Sequence, residues 1–430
     1  MVLRIQRYNE SMFSGILTYG EHNNSIIDKC CAFLLALSPI LQHYKGFFRN
    51  AGFSALILVI PILILRLADN NLNHKYDFRS VKAIIPLLIF QLYKIIDHTI
   101  SIDKIFYGLF MLLIFLSIAY GSVNTKYLVR YATGISAFAG ICLIIQYVAY
   151  YLFGKHIQMV PVSLLLPESD AWILGIKTGL YGLRGVMNGF YRPSAFFLEP
   201  SHLFLYCFPM LCTHLFSPFM NSWRKHKAVF ISIAMILSTS GMGVLITIGL
   251  WIVYLVFYNS SKSRENIARV KNLLKPKNII ILICIILFAI IAYFRIPLFQ
   301  NMIERVIRSE SSSGSSAIDG RIKLASGLIK GLSGKSLWFG ITDNVDNINF
   351  NLSGFHATLY KFGLIGIILS YMFYIPGLFK LKGANFWLSL VIILISFFTA
   401  HTHGTFYMIY YIILLINGYH VAGNSIFINK

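Results

Sequence analysis

The chain has 430 residues, of which 57% are hydrophobic and 12% charged, with a formal net charge of +21. A soluble globular domain averages roughly 45–50% apolar and about 25% charged residues, so the composition excludes that class. Apolar runs of near ~20 residues recur, each long enough for a bilayer core of about 30 Å. The alternating ten-residue strands of a β-barrel are absent. The expected fold is therefore all-α: a polytopic integral membrane protein forming a single membrane domain over 1–430.

In chain order the apolar pattern predicts about twelve spans, at 30–44, 50–68, 80–97, 105–122, 128–151, 199–217, 227–239, 241–258, 278–295, 355–376, 385–400 and 404–421. The first is short and contains Pro39, which predicts a tilt or break. The first 29 residues are polar and mixed in charge, and no small-residue cleavage site follows the first run, so that run is expected to be retained as a helix. Tyr and Trp gather near span ends, as at Tyr150-Tyr151 and Trp251-Tyr254-Tyr258, in the manner of an interfacial aromatic belt. The six cysteines all fall in apolar segments, and none forms a CxxC pair. Buried, unpaired thiols are expected.

Basic residues set the orientation. With the N-terminus cytoplasmic, the inner segments collect Arg4, Arg7 and Lys29; Arg66, Lys75, Arg79 and Lys82; Lys126 and Arg130; Arg224, Lys225 and Lys227; six more between Lys262 and Lys277; then Lys380, Lys382 and Lys430. The opposite short loops hold only Lys45, Arg49, Lys94 and Lys104. Both termini are thus expected inside. In a soluble protein such a charge would suggest nucleic acid; here topology accounts for more than half of the Lys and Arg. Two long outer segments, about 152–198 and 296–354, break the pattern, and long segments translocate largely regardless of charge. Loops of this length are usually functional or disordered. No internal repeat interrupts the chain. The Ser/Gly-rich stretch "RSESSSGSSAIDGR" (308–321) reads equally as a linker and as a lid.

These outer segments carry Arg184, Arg192, Arg305, Arg308 and Arg321. A guanidinium fork binds phosphate through two charge-assisted bonds, so such a set suits a diphosphate at the membrane surface; the competing reading is solvated surface charge. Arg192 lies in "GFYRPSAFFLEPSH" (189–202), close before Glu199, and Arg321 precedes the amphipathic "IKLASGLIKGL". Glu199 precedes Pro200, which suits a first helical turn. It reads either as a partner of the helix dipole or as a working carboxylate at the outer rim. His356, in "NLSGFHATLYKFGLIG", stands at the outer start of a span, where an imidazole can accept a proton from a hydroxyl, or can simply mark a polar helix boundary. The two histidines of "HTHG" (401–404) point to different faces of a helix. No HExxH, aspartate-rich pair or Walker loop is present, so neither a metal nor a nucleotide cofactor is expected.

"GFYRPSAFFLEPSHLFLYCFPML" resembles the Arg-x-x-(apolar/aromatic)-Glu-Pro-Ser segment of bacterial O-antigen and capsule polymerases, the Wzy type. "LSTSGMGVLI" (237–246) is similar to their Ser-rich helical break, "DGRIKLASGLIKGLSGKSLWFG" to their Gly-Arg segment ending in Phe-Gly, and "HATLYKFGLIGIIL" to the following helix, which the related O-antigen ligases share. The resemblance covers roughly 185–375 and implies a GT-C-like architecture. It also implies a metal-independent glycosyltransferase at the outer face of the inner membrane. That enzyme moves a growing glycan from undecaprenyl diphosphate to the terminal sugar hydroxyl of an incoming lipid-linked unit. By position, Arg192 and Arg321 match diphosphate-binding residues, and His356 matches the place where the ligases set a histidine base; Arg184, Arg305 and Arg308 are further candidates for the diphosphate, and either Glu199 or His356 is expected to supply the base on the acceptor side. Implied partners are the lipid-linked donor and acceptor, membrane lipid, and a chain-length regulator and flippase of the same pathway, with no nucleic acid. An O-antigen ligase is the nearest alternative. A lipid-linked sugar flippase is one of a different class, although transporters tend to show internal repeats and midplane charges.

Overall fold

The structure, a computed structural model, describes residues 26–47, 50–72, 78–97, 102–120, 122–157, 159, 162–166, 186–187, 190–191, 193–216, 222–255, 294–295, 300, 327–341, 352–381, 383–399 and 404–427. These residues are overwhelmingly helical, as the composition predicts, with one pair of two-residue strands. A helix stands over each expected span except 278–295, most of which lies outside the described residues. By length and composition, Thr125–Phe153 and Gly354–Phe379 are long and apolar enough to cross a membrane.

The chain divides into two compact units, one of 1–135, 163–169 and 323–430, the other of 136–162 and 170–322. The first unit begins with α1 (Ile26–Leu41) and α2 (Ala51–Leu72). They form an antiparallel hairpin: Arg66 meets Asp28 at 2.7 Å at one end, and Gly52 lies against the Ser38 carbonyl and Gln42 amide at the other. Asn50 caps α2 by accepting the Phe53 amide at 2.7 Å. The connecting turn is extended at 43–45, where Tyr44 bridges Leu165, Lys45 N–H donates to the Leu164 carbonyl (2.8 Å) and Leu166 N–H to the His43 carbonyl (3.1 Å). A piece of the long 152–198 segment thereby lies against the α1–α2 turn.

Next come α3 (Phe78–Asp97) and α4 (Ile102–Ala119), then α5 (Thr125–Phe153), an unbroken helix of 29 residues, about 43 Å at 1.5 Å per residue. Later helices complete the first unit: α9 (Lys335–Phe339), α10 (Gly354–Tyr371), α11 (Ile375–Lys380), α12 (Ala384–Ser396) and α13 (Thr405–Phe427). From Phe406 to Ile416 every side chain of α13 is buried. A helix apolar on all sides belongs at the centre of a bundle, and α13 packs there against α1, α3, α4, α11 and α12.

The second unit holds the strand pair β1 (Val186–Met187) and β2 (Phe190–Tyr191), with α6 (Pro200–Leu215), α7 (Ser222–Leu237) and α8 (Gly241–Val253). Here α6 is central, buried along its length from His202 apart from partly exposed Thr213. The "LSTSGMG" break is a three-residue turn. Thr239 takes φ 53°, Ser240 caps α8 through Gly243, and α8 returns antiparallel to α7, with the Trp251 indole donating to Ser232 at 2.7 Å.

The expected single span at 355–376 is instead broken. Gly363 has φ 61° and ψ −163° inside α10. Unbroken helix would separate Phe355 and Tyr371 by about 24 Å, yet their ring centroids are 6.0 Å apart. The arms 354–362 and 364–371 fold into a V, whose ends meet the end of α12: Phe355 stacks on Phe397 at 4.6 Å, Gly354 N–H donates to the Thr399 carbonyl (2.8 Å), and the Tyr371 hydroxyl bonds Ser396. The cause is a backbone crossing. A Cβ on Gly363 would strike the Trp338 carbonyl, and one on Gly340 would strike the Lys361 carbonyl. Between them Ile341 N–H donates to the Tyr360 carbonyl at 2.9 Å. An isolated glycine in an apolar helix is ordinarily tolerated in regular geometry, so the pattern "KFGLIG" does not disclose the bend.

Gly363→Ala adds a side chain both to a backbone region essentially reserved for glycine and to a space already filled. The backbone term alone is worth roughly 1–3 kcal/mol. We expect Gly363→Ala and Gly340→Ala each to lower the melting temperature of the detergent-solubilised protein by several degrees, whereas Gly134→Ala, with open space around it, should leave it near wild type. Equal melting temperatures for all three would contradict the crossing.

Candidate functional site

Glu199 is the N-cap of α6, with φ −140°, ψ 156° and Pro200 at the first helical position. Its carboxylate makes no cap bond to the backbone but accepts the Ser201 hydroxyl at 2.9 Å. It is half-buried and close to the positive end of the helix dipole. His202, one turn on, is 2% exposed and belongs to the core rather than to a solvent-facing site.

The segment leading to Glu199 is held from α5. Buried Gln146 accepts the Ala195 amide at 2.9 Å and donates to the Ile157 carbonyl at 3.0 Å. Ala195 sits at φ 54°, and the Ser194 hydroxyl closes the turn onto the Phe197 carbonyl at 2.8 Å. Tyr191 stacks on Tyr150 with centroids 4.4 Å apart and meets Tyr147 and His156 edge-on. Burial, with the Tyr150 phenol adding to it, pushes the Tyr191 hydroxyl up to about 12, so it stays protonated at neutral pH. The residues on either side of position 192 are thus packed and bonded, although Arg192 itself lies outside the described residues. So do Arg184, Arg305, Arg308 and Arg321, and the histidines of "HTHG".

His356 belongs to the other compact unit, in the first turn of α10. Ser353 is the N-cap: its hydroxyl oxygen accepts the His356 amide at 3.4 Å and lies 2.6 Å from the imidazole Nδ1. The ring is half-buried and edge-on to Phe355. The tautomer follows from the role. For Nε2 to accept a proton, Nδ1 must carry its hydrogen and donate to the Ser353 oxygen, which is already an acceptor toward the backbone. One serine then caps the helix and orients the imidazole, the arrangement in which a neighbouring group fixes a histidine's reactive nitrogen.

Sequence reasoning overlooked Ser353 and Gln146. The first carries a legible signal, a serine three residues ahead of His356 at a helix start. The second is a lone amide in an apolar span, a type of residue that must find partners there. Among the described residues no three His, Cys, Asp or Glu side chains gather into a metal-binding group.

Gln146→Leu leaves the buried Ala195 N–H without its partner, costing about 1–3 kcal/mol, and removes the bond to the carbonyl of exposed Ile157. We expect faster protease cleavage within 154–199 in this variant, with Gln146→Glu intermediate because it retains only the acceptor; a cleavage rate equal to wild type would remove Gln146 as the tether. No protein-family model, curated protein or solved structure matches this chain.

Proposed function

We propose that the chain is a multi-pass bacterial inner-membrane glycosyltransferase that polymerises undecaprenyl-diphosphate-linked oligosaccharide units, building O-antigen or capsule at the periplasmic face. The observation that carries this reading is the anchored imidazole of His356, in the segment that resembles the polymerases and ligases: the Ser353 hydroxyl lies 2.6 Å from Nδ1, and when Nδ1 donates to it Nε2 is the nitrogen that accepts a proton. Support also comes from the fixed turn over 193–201, and from the pairing of 163–166 with 43–45, which sets the first long segment beside a short loop expected outside.

In this reading Nε2 of His356 takes the proton from the acceptor sugar hydroxyl. The freed oxygen attacks the anomeric carbon of the donor, the bond from that carbon to the phosphate oxygen breaks, and the lipid diphosphate leaves with the electron pair. Arg192 and Arg321 hold that diphosphate and offset the charge it gains, with Arg184, Arg305 and Arg308 contributing to the field; fixed cations facing developing charge are a large source of rate enhancement. Glu199 serves the acceptor side. Aligning two lipid-linked glycans is chiefly a positioning task.

Purified protein supplied with synthetic undecaprenyl-diphosphate repeat units is expected to yield a product ladder that persists in EDTA. Arg192→Ala and Arg321→Ala should each abolish or nearly abolish the ladder, Arg192→Lys should impair it by losing the fork, and His356→Ala should stop it while donor still binds. Wild-type rates in both arginine variants would end this assignment, and a ladder formed only on a lipid A-core acceptor would make the chain a ligase.

For topology, cysteines placed at Ser169 and Ser313 should react with an impermeant thiol reagent in cells with a permeabilised outer membrane. Protection of both until the inner membrane is lysed would reverse the proposed orientation.

A further inference from the structure

Residues 327–341 form a strap that carries α9 and passes over α10. One side of the strap packs: Leu328, Ile329, Leu332, Leu337 and Ile341 join Leu359 and Tyr360 of α10 in one apolar cluster. The other side has two parts. Lys330, Ser333 and Lys335 are exposed and polar. Trp338 and Phe339, at the far end, are 51% and 42% exposed. Adjacent large aromatic side chains left open in this way mark a surface that something apolar covers.

Their surroundings identify the cover. The Tyr93 hydroxyl of α3 donates to the Phe339 carbonyl at 2.9 Å, and the Trp338 carbonyl lies against Gly363 of α10. Both helices bear exposed apolar stripes at helical spacing: Ile85, Ile89 and Leu92 on α3, and Ile368, Met372 and Ile375 from α10 into α11. In a membrane protein such stripes face lipid tails. The first stripe ends at Leu92, next to the tyrosine that holds Phe339. The second begins within two turns of Gly363. The Trp338–Phe339 corner therefore stands at the end of both. It also stands near the end of α3, since that helix stops at Asp97, one turn beyond Tyr93. This is the end expected outside, where hydrocarbon gives way to headgroups. Tryptophan is enriched at that depth because its ring is amphipathic. The charge agrees: residues 327–341 contain Lys330 and Lys335 but no Asp or Glu. Lysine stems are long enough to carry their ammonium groups to the phosphates.

We propose that the 327–341 strap is a membrane-interface anchor for anionic lipid, with Trp338 and Phe339 at the hydrocarbon boundary and Lys330 and Lys335 at the lipid phosphates. The proposal rests on the reading of the chain as a membrane protein and is independent of glycosyl transfer.

The test reconstitutes the full chain in vesicles of lipids brominated on their acyl chains, which quench tryptophan on contact. One protein keeps only Trp338, after Trp172→Phe, Trp223→Phe, Trp251→Phe and Trp387→Phe. A second adds Trp338→Phe and Ile89→Trp, which puts the sole tryptophan on the α3 stripe. Both are expected to be quenched, Trp338 best by bromines nearest the headgroup. Quenching of Ile89→Trp without Trp338 would overturn the anchor and leave the membrane reading standing; quenching of neither would end both. An unquenched Trp338 with blue emission would assign the corner to a protein partner, and one with red emission to water; each outcome overturns the proposal. In mixed vesicles, brominated phosphatidylglycerol should quench Trp338 in preference to brominated phosphatidylcholine. Lys330→Gln and Lys335→Gln should each lower that preference by up to about fivefold, the contribution of one lysine at an anionic surface. Equal quenching by the two lipids, or a preference unchanged in both variants, would also overturn it. Should the proteins lacking other tryptophans fail to fold, the same quantities are read as the difference between wild type and Trp338→Phe.

Discussion

Two main-chain segments cross at van der Waals contact where 338–341 passes 360–363, and much of the first unit depends on that crossing. It is possible only because Gly340 and Gly363 present no Cβ to the carbonyl opposite. Close backbone approach is a use of glycine that no other residue fills. The crossing forces α10 to turn back on itself, and the turn brings both ends of α10 to the end of α12. It also leaves a largely apolar concavity between α10, α3 and the start of α13. Two arms of some eight or nine residues, each about 12–13 Å long, replace one apolar rod. In an apolar solvent such irregular backbone is tolerated only where protein covers it or a cavity lies beside it. Both conditions hold here: 338–341 covers the bend, and a cavity lies inside it.

The existence of the helices was legible because each needs only a long apolar run between polar or Gly/Pro-containing stretches. Their geometry was less so. "KFGLIG" has the same apolar signature as a straight span, and the fact that decides its shape is the arrival of Trp338 and Gly340 from a remote part of the sequence. The break at "LSTSG" was readable, since serines that can bond their own backbone compete with the helix ladder, and Ser238 and Ser240 do so.

The candidate site was legible in a similarly partial way. Glu199 stands where Pro200 places it, at a helix start, and His356 stands at the start of α10. What the sequence could not disclose is the tether of the turn before Glu199, because its hydrogen-bond partners Gln146 and Ala195 are separated by many residues. Lys94 was the subtler case: it read as a sparse loop charge at a span end, and folding sets it beside an apolar hollow. Long side chains that extend along apolar surface are poorly described by the position of their Cα.

The centre of the first unit has a consequence for how the protein is made. The helix buried on all sides, α13, is the last described element in chain order, whereas its neighbours α1, α3 and α4 are among the first. Those early helices emerge with a slot between them that only a much later segment fills, after the whole of the second unit has been synthesised. A chain that stops just before Thr405 would therefore leave α1, α3 and α4 without the buried helix they pack on.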